Sequence, residues 1–514
     1  MGVSLLYQAS YLAVFSALLM WMLLAEYKTA GRYLSFIFFF AFTAWVISII
    51  QSDTSNSAKL LIVFRDMITA AVGSLIIYQA RSNKMIGILA LIGMFFIMKI
   101  WYLPVLKETF APTSPNGISL DQDGELLIDL AHGVDPQMLR DALDNPGAKV
   151  VRAFYPADEA STDLDEYYLI DLPENISDEE IAEIKELVEK SGLADWVEEN
   201  EVVSIEPMEG TVTQRRQPRS KLNDPFIDQQ WAFEALQVSD LHEVLSDISI
   251  VKKARIAILD TGVDGNHEDL ADNYFSLKKS YDRDVKGHGT HVAGIAAAVS
   301  NNGKGIASFL PNDKLVSITS VKVLTDMGMG SQATIIRGMI EAADHGVDVI
   351  SMSLGGRTNE SKQLAYTQAL EYCNSRGAIV VVAAGNANMN AKEISPANTP
   401  GVIVVSAVNS KFEKAFFSNT VDGMDFPVAA PGDDIFSTYP RNQYRSFKGT
   451  SMATPFVASV VGIMKCLDPD IATQKAHEIL VSTGIDSKST ASTGRIIQPS
   501  EAISWLAGSI KEPF

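Results

Sequence analysis

Apolar and polar positions alternate with a different period in each part of the chain. Residues 3–25, 33–50, 60–80 and 85–105 are largely apolar and about as long as a helix must be to cross a bilayer. Four such stretches joined by short polar loops leave little solvated face for a soluble bundle, and a cleavable leader accounts only for the first. They predict a four-helix transmembrane region over 1–108. Lys28 and Arg32 in the first loop and Arg81 and Lys84 in the third, against Lys59 in the second, place loops one and three in the cytoplasm. Both termini then lie outside it, although Lys99 and Lys107 beside the fourth stretch run against that bias. Arg65 and Asp66 inside the third stretch read as helix packing or interfacial charges, with a sensing or transport role as the alternative.

After a Pro/Ser/Asn/Gly-containing link at 111–118 the elements become short. Residues 125–131 read as a strand, 134–145 as a helix, 148–156 and 166–173 as strands, 177–190 as an acidic amphipathic helix capped by Ser177, and 201–207 as a strand. The order β-α-β-β-α-β predicts a small ferredoxin-like α+β domain over 119–210. A basic, proline-containing run at 211–221 reads as an exposed linker within reach of proteolysis; the alternative for the small domain is a permanent spacer between membrane and downstream domain.

From 222 to 510 strands alternate with helices. Strand-rich runs at 254–260, 314–324, 348–354, 378–385 and 401–408 are nearly continuous in valine and isoleucine, the pattern of central parallel strands covered on both faces. Helical patterns fall at 288–300, 331–345 and 360–375. The expectation is one large α/β domain with a mostly parallel sheet.

Charge sharpens this division. The chain of 514 residues carries a formal net charge of -20, yet residues 1–108 hold eight Lys/Arg against four Asp/Glu, so the acidity is all downstream. An acidic soluble part lacks the basic footprint of nucleic-acid binding, and no such partner is expected. Cys373 and Cys466 have no metal-site spacing and read as reduced, buried thiols.

Candidate chemistry sits in three strings, ILDTGVD (258–264), GHGTHVAG (287–294) and GTSMATP (449–455). Asp260 ends a buried strand, His288 opens an apolar helical run, and Ser451 precedes an apolar helix whose Pro455 is assigned to the first turn. Hydrolysis by a serine needs a hydroxyl nucleophile, an imidazole to carry its proton and a carboxylate to orient the imidazole. The unpaired N–H groups at a helix amino end suit a developing oxyanion beside Ser451, and Asn386, after Gly385, is the natural second donor. Structural readings stand beside these: Asp260 as a turn residue, Asn386 as an Asx turn, His291 as a satisfied core histidine.

These strings, with AAGN at 383–386, closely resemble the motifs of the subtilisin-like serine proteases, and the resemblance spans most of 222–510. It implies a serine endopeptidase with Asp260, His288 and Ser451 as triad and Asn386 in the oxyanion hole, needing no cofactor for catalysis. Ser353, Leu354, Gly355 and Gly356 match the segment that pairs with an extended peptide, and Gly328 and Gly330 match the segment facing it. The loop from Ala387 to Pro396 departs from the best-known members; an apolar residue is expected before the scissile bond. Asp224, Asp269 and Asn302 match positions used for structural calcium. The small domain resembles an inhibitory prodomain, so the chain's own prodomain joins protein or peptide substrates and membrane lipid among the expected partners. Together these imply a membrane-tethered zymogen, a multi-pass protein with an extracytoplasmic peptidase domain. The alternative is a catalytically silent membrane sensor or peptide-binding protein that has kept a protease-like domain.

Overall fold

In the computed structural model the described residues are 38–43, 46, 124–143, 147–173, 176–205, 208–211, 222–312, 315–358 and 363–511. The chain divides into two units, Met1–Gln122 and Asp123–Phe514. In the first, residues 38–43 are helical, with the Thr43 hydroxyl donating to the Phe39 carbonyl at 2.9 Å. The four apolar stretches otherwise lie outside the described residues.

The second unit begins with strands β1 (Leu126–Leu130), β2 (Lys149–Arg152), β3 (Tyr167–Asp171) and β4 (Ala194–Glu199). They form an antiparallel sheet in the order β2-β3-β1-β4, with helices Pro136–Ala142 and Asp178–Ser191 between them in sequence. The longer helix starts where it does because Ser177 and Glu180 make a reciprocal capping box, and it stops at Gly192 in the left-handed conformation (φ 72°). Every residue of β1 is buried, since the two faces of the sheet serve different cores. Leu126 and Ile128 pack with Leu139, Val188 and Val197 beneath its own helices. Leu127, Tyr167 and Leu169 join a cluster containing Ile336, Ile340 and Tyr372 of the following sheet's helices.

Two short strands follow, β5 (Val202–Ser204) and β6 (Met208–Glu209). This corrects the sequence reading, which gave the last strand of the small sheet to 201–207. That strand is β4, and β5 leaves the sheet. The misreading has a physical source: the inward face of β4 carries Glu198, fully buried, and a carboxylate there breaks the alternation that marks a strand.

Past residue 222 come β7 (Ala254–Asp260), β8 (Val316–Lys322), β9 (Met329–Ser331), β10 (Val349–Met352), β11 (Gly356–Arg357), β12 (Ile379–Ala383), β13 (Ile394–Ser395), β14 (Ile403–Val408), β15 (Phe426–Pro431), β16 (Ile435–Tyr439), β17 (Gln443–Lys448) and β18 (Arg495–Ile496). Seven of them make a parallel sheet in the order β18-β15-β14-β12-β10-β7-β8. Helices cover both faces: Ile256 and Ile258 of β7 enter the core shared with helices His288–Ala297 and Thr450–Leu467, while Ala257 and Leu259 enter the core of helices Gln332–Asp344 and Leu364–Ser375. That two-sided burial is why these strands read as unbroken apolar runs.

Helix Thr450–Leu467 is the one helix among the described residues long and apolar enough to cross a membrane, and it is wholly buried in this core. Cys373 and Cys466 are buried and unpaired to each other.

Candidate active site

Asp260 closes β7 at the carboxyl edge of the sheet, where the following turn is forced tight by Gly262 (φ 105°). Its Oδ1 accepts a hydrogen bond from the Thr261 N–H at 2.7 Å, and the Thr261 hydroxyl lies 3.1 Å away. His288 begins the next helix, and its Nδ1 lies 2.8 Å from Asp260 Oδ2 and 2.9 Å from Oδ1. A carboxylate accepts, so the hydrogen of this pair sits on Nδ1, which turns Nε2 away from Asp260. Both side chains are shut away from solvent, Asp260 at 0% and His288 at 1% exposure.

A second carboxylate, which the sequence reading missed, builds this corner. Asp284 accepts from the N–H of Gly287 at 2.8 Å, from the N–H and hydroxyl of Thr290 at 2.8 Å each, and from the Thr261 hydroxyl at 2.9 Å. It satisfies amides at the amino end of the His288 helix and fixes the approach of that helix to β7. Burial pushes its pKa up, against the pull of the Thr290 and Gly287 amides. The only trace in the sequence is an aspartate three positions before a glycine, a pattern shared with many turns.

Ser451 is the second residue of the helix that starts at Thr450. Its hydroxyl donates to the Ser353 carbonyl at 3.1 Å, and the Ser353 hydroxyl donates back to the Ser451 carbonyl at 2.8 Å. Pro455 explains the second bond. It sits in the second turn, not the first as expected from sequence, and its missing N–H is the one that would have bonded Ser451 O four residues earlier. Asn386 is oriented by the same helix: its Oδ1 accepts from the Thr450 N–H at 2.8 Å and hydroxyl at 3.0 Å, which leaves the amide nitrogen as the free donor.

Ser451, His288 and Asn386 line one cleft of about 370 Å³ with Leu354, Gly355 and Gly356. The chain's own Ser204 and Ile205 line it too. Strand β5 pairs antiparallel with β9, Val203 opposite Gly330, and the Ile205 N–H donates to the Gly328 carbonyl at 2.9 Å. On the other side a Cβ on Gly356 would lie 2.8 Å from the Val202 carbonyl. Residues 202–205 thus lie between the two glycine-bearing edges, paired with the one that carries Gly328 and Gly330 and close against Gly356 on the other.

Other acceptors from the small sheet hold that tail in place. Glu198 accepts from Gln332 Nε2 at 2.7 Å, from the N–H of Leu364 at 2.9 Å and Ala365 at 3.3 Å, and from Trp196 Nε1 at 2.8 Å. Asn200 Oδ1 accepts from the Ala333 N–H at 2.9 Å, and Glu201 accepts from Thr358 and Gln363. The Asn200 and Glu198 side chains satisfy amides at the amino ends of helices 332–344 and 364–375, respectively.

His291 is a core histidine: Nε2 faces the Arg445 carbonyl at 3.0 Å, the ring stacks on Phe447 at 4.5 Å, and burial drives its pKa down to about 3. Asp224, Asp269 and Asn302 do come together. Asn302 Nδ2 donates to Asp269 Oδ1 at 2.9 Å, Ile306 N–H to Asp269 Oδ2 at 2.8 Å, and the amides of Asn301 and Asn302 to Asp224 at 2.9 and 3.4 Å. Each carboxylate oxygen thus already faces an N–H donor, and Asn302 presents its nitrogen. As arranged, the set does not fit the all-oxygen shell that calcium takes.

A model of the subtilase family matches residues 252–496. Thermitase from Thermoactinomyces vulgaris is 42% identical over 248 residues, 47% of this chain and 84% of that protein. Subtilisin DY from Bacillus licheniformis is 38% identical over 235 residues, covering 45% and 82% of the two chains. A thermostable alkaline protease from Halalkalibacterium halodurans is 32% identical over a longer stretch of 339 residues, 63% of this chain and 88% of that one.

Proposed function

The chain belongs to the subtilase family of serine peptidases, and from that premise we propose that it is a serine endopeptidase made as a membrane-tethered, self-processing zymogen. Ser451 attacks the scissile carbonyl once its hydroxyl turns from Ser353 O to His288 Nε2. His288 takes that proton and returns it to the leaving amine, and Asp260 holds the imidazole in the required tautomer. The Ser451 N–H and Asn386 Nδ2 stabilise the tetrahedral oxyanion, and water then deacylates the enzyme by the same route. The observation that carries this reading is the 2.8 Å pairing of His288 Nδ1 with Asp260, placed in one cleft with Ser451 and Asn386.

The zymogen reading is supported by the tail at 202–205, which occupies the place of a substrate strand and descends from a small sheet packed on the peptidase body. Cleavage between the tail at 202–205 and the end of the linker at 211–221 would separate the enzyme from the apolar amino-terminal stretches that tether it. Expression of the full chain beside Ser451→Ala tests both steps. A membrane-free carboxyl-terminal fragment is expected only with the intact serine, together with labelling of Ser451 by a fluorophosphonate. An unlabelled chain would instead favour a silent peptide-binding domain.

Structural calcium at Asp224, Asp269 and Asn302 is a separate proposal that requires the Asn302 amide to turn over and the backbone donors to yield. Burial pushes the Asp269 carboxyl up to about 7, against the Ile306 and Asn302 donors, with the neighbouring Asp224 and Glu268 carboxylates adding to the rise, and a cation would offset that crowding of like charge. A melting temperature unchanged by chelator would dispose of it.

A further inference from the structure

The tail does not end in the cleft. Two residues, Glu206 and Pro207, join Ile205 to Met208, and there β6 pairs antiparallel with β17 on the far side, Met208 opposite Lys448 and Glu209 opposite Phe447. Lys448 lines the cleft with Ser451, so β6 lies where the leaving half of a cleaved peptide would run. The chain is then gripped at successive positions. The Gly210 N–H donates to the Ser446 carbonyl at 2.7 Å. The Thr211 N–H and hydroxyl donate to Asp434 Oδ1 at 2.5 and 3.0 Å, and the Ser446 hydroxyl donates to the Thr211 carbonyl at 3.2 Å.

Three of these positions discriminate among side chains. A Cβ on Gly210 would lie 2.5 Å from Ser446 Oγ, 3.0 Å from Asp434 Oδ1 and 3.1 Å from the Ser446 carbonyl carbon, so a larger residue would have to turn the Ser446 and Asp434 side chains away from Thr211. The Glu209 carboxylate lies 4.0 Å from Arg445, whose guanidinium is propped at 4.0 Å over the Tyr439 ring. Asp434, in the left-handed region at φ 54°, turns its carboxylate to the Thr211 N–H and hydroxyl. Burial works against that charge, but the Thr211 and Lys448 donors prevail and hold its pKa below the usual value.

We propose that the β17 edge, with Asp434, Arg445 and Ser446, is a leaving-side subsite selecting extended peptides that carry an acidic residue, then glycine, then a hydroxyl residue. This rests on the peptidase reading above and names a substrate class for the same cleft. The groove adds a strand to β16 and β17, so backbone pairing supplies affinity while the three side-chain contacts supply selection.

Two measurements on the full chain test it. In the Ser451→Ala chain, where self-cleavage is blocked, hydrogen exchange at 208–211 should be slow. It should quicken by about tenfold or more with either Asp434→Asn on the body or Gly210→Val on the tail, since each removes interactions from the paired strand. Exchange as fast as a free peptide in the parent, or unmoved by both substitutions, overturns the subsite. In the chain with Ser451 intact, rates per fluorophosphonate-titrated site are compared for quenched peptides identical through a methionine and continuing Glu-Gly-Thr, Glu-Val-Thr or Lys-Gly-Thr. The valine peptide should lose about tenfold in kcat/KM and the lysine peptide about threefold, the latter effect shrinking in high salt and in Arg445→Gln. Equal rates for all three also overturn the subsite. Absence of Ser451-dependent hydrolysis of every peptide by chain that the fluorophosphonate does label would defeat the peptidase reading instead, and the exchange result would still judge the groove.

Discussion

Ser353 holds Ser451 by two hydrogen bonds, and the need for the second follows from Pro455. Ser353→Ala leaves the buried Ser451 carbonyl without a donor, which should cost about 1–3 kcal/mol of stability and, with Ser451 as the proposed nucleophile, lower kcat by loosening it. Pro455→Ala supplies the missing helical N–H. The double variant should therefore lose less than Ser353→Ala alone, and strictly additive losses in denaturant titration would refute the compensation. Asp284 acts at the same scale on the other side of the cleft. Asp284→Ala strands the amides of Gly287 and Thr290 together, so its cost should exceed that of Ser353→Ala, with His288 positioning and kcat falling in step.

At the scale of elements, strand β5 is the part of the small domain that reaches the chemistry. Its burial alternates, with Val203 and Ile205 inward and Ser204 exposed, and Val203 belongs to the same buried cluster as Leu324, Ile335 and Leu354. Val203→Asp would bury an unpaired carboxylate there, a penalty of about 3 kcal/mol that raises the population of open cleft about a hundredfold. Fluorophosphonate labelling of the uncleaved band should quicken accordingly; an unchanged rate would mean the tail is not what covers Ser451. The same strand shows what the sequence reveals and what it hides. Five of the seven strands of the large sheet were legible because burial on both faces leaves mostly apolar residues, whereas β15, with a proline at its second and last positions, and the two-residue β18 were not read. The Asp260, His288, Ser451 and Asn386 segments were legible because their glycines and helix starts are local. Strand β4 was hidden by Glu198, whose partners Gln332, Leu364 and Ala365 lie more than a hundred residues away. The destination of β5 was equally invisible, since a short run of Val-Val-Ser suits either sheet and only tertiary pairing with β9 decides. Asp284 and Asp434 share that obscurity: each is a surface-like aspartate in sequence whose role comes from amides brought to it by the fold.

For the whole molecule, the junction between the small sheet and the peptidase body turns on the carboxyl of Glu198. Burial raises its pKa from 4.5 to about 7, overcoming the hydrogen bonds from Trp196, Leu364, Ala365 and Gln332 that favour the charged form. A carboxyl raised on docking favours the docked state while protonated. Its contribution is complete below about pH 4.5 and is lost as pH climbs through 7, to an extent on the order of 3 kcal/mol. Asp129 in the small sheet is also raised to about 7, by burial first and then by Asp195 and Glu166, so the whole chain should weaken in the same direction. Glu198→Gln separates the two. The amide cannot ionise, so its curve should lose the Glu198 share of the slope between pH 5 and 8. The variant should also sit lower at pH 5, because an NH₂ then faces donors that an oxygen had accepted. The measurement is the denaturant midpoint of the full-length Ser451→Ala chain, with and without Glu198→Gln, across that range. Parallel curves would show that Glu198 stays ionised in place, its four donors outweighing burial. Converging curves would make alkaline pH the condition that loosens the small sheet, and with it strand β5 beside the cleft that Ser451 lines.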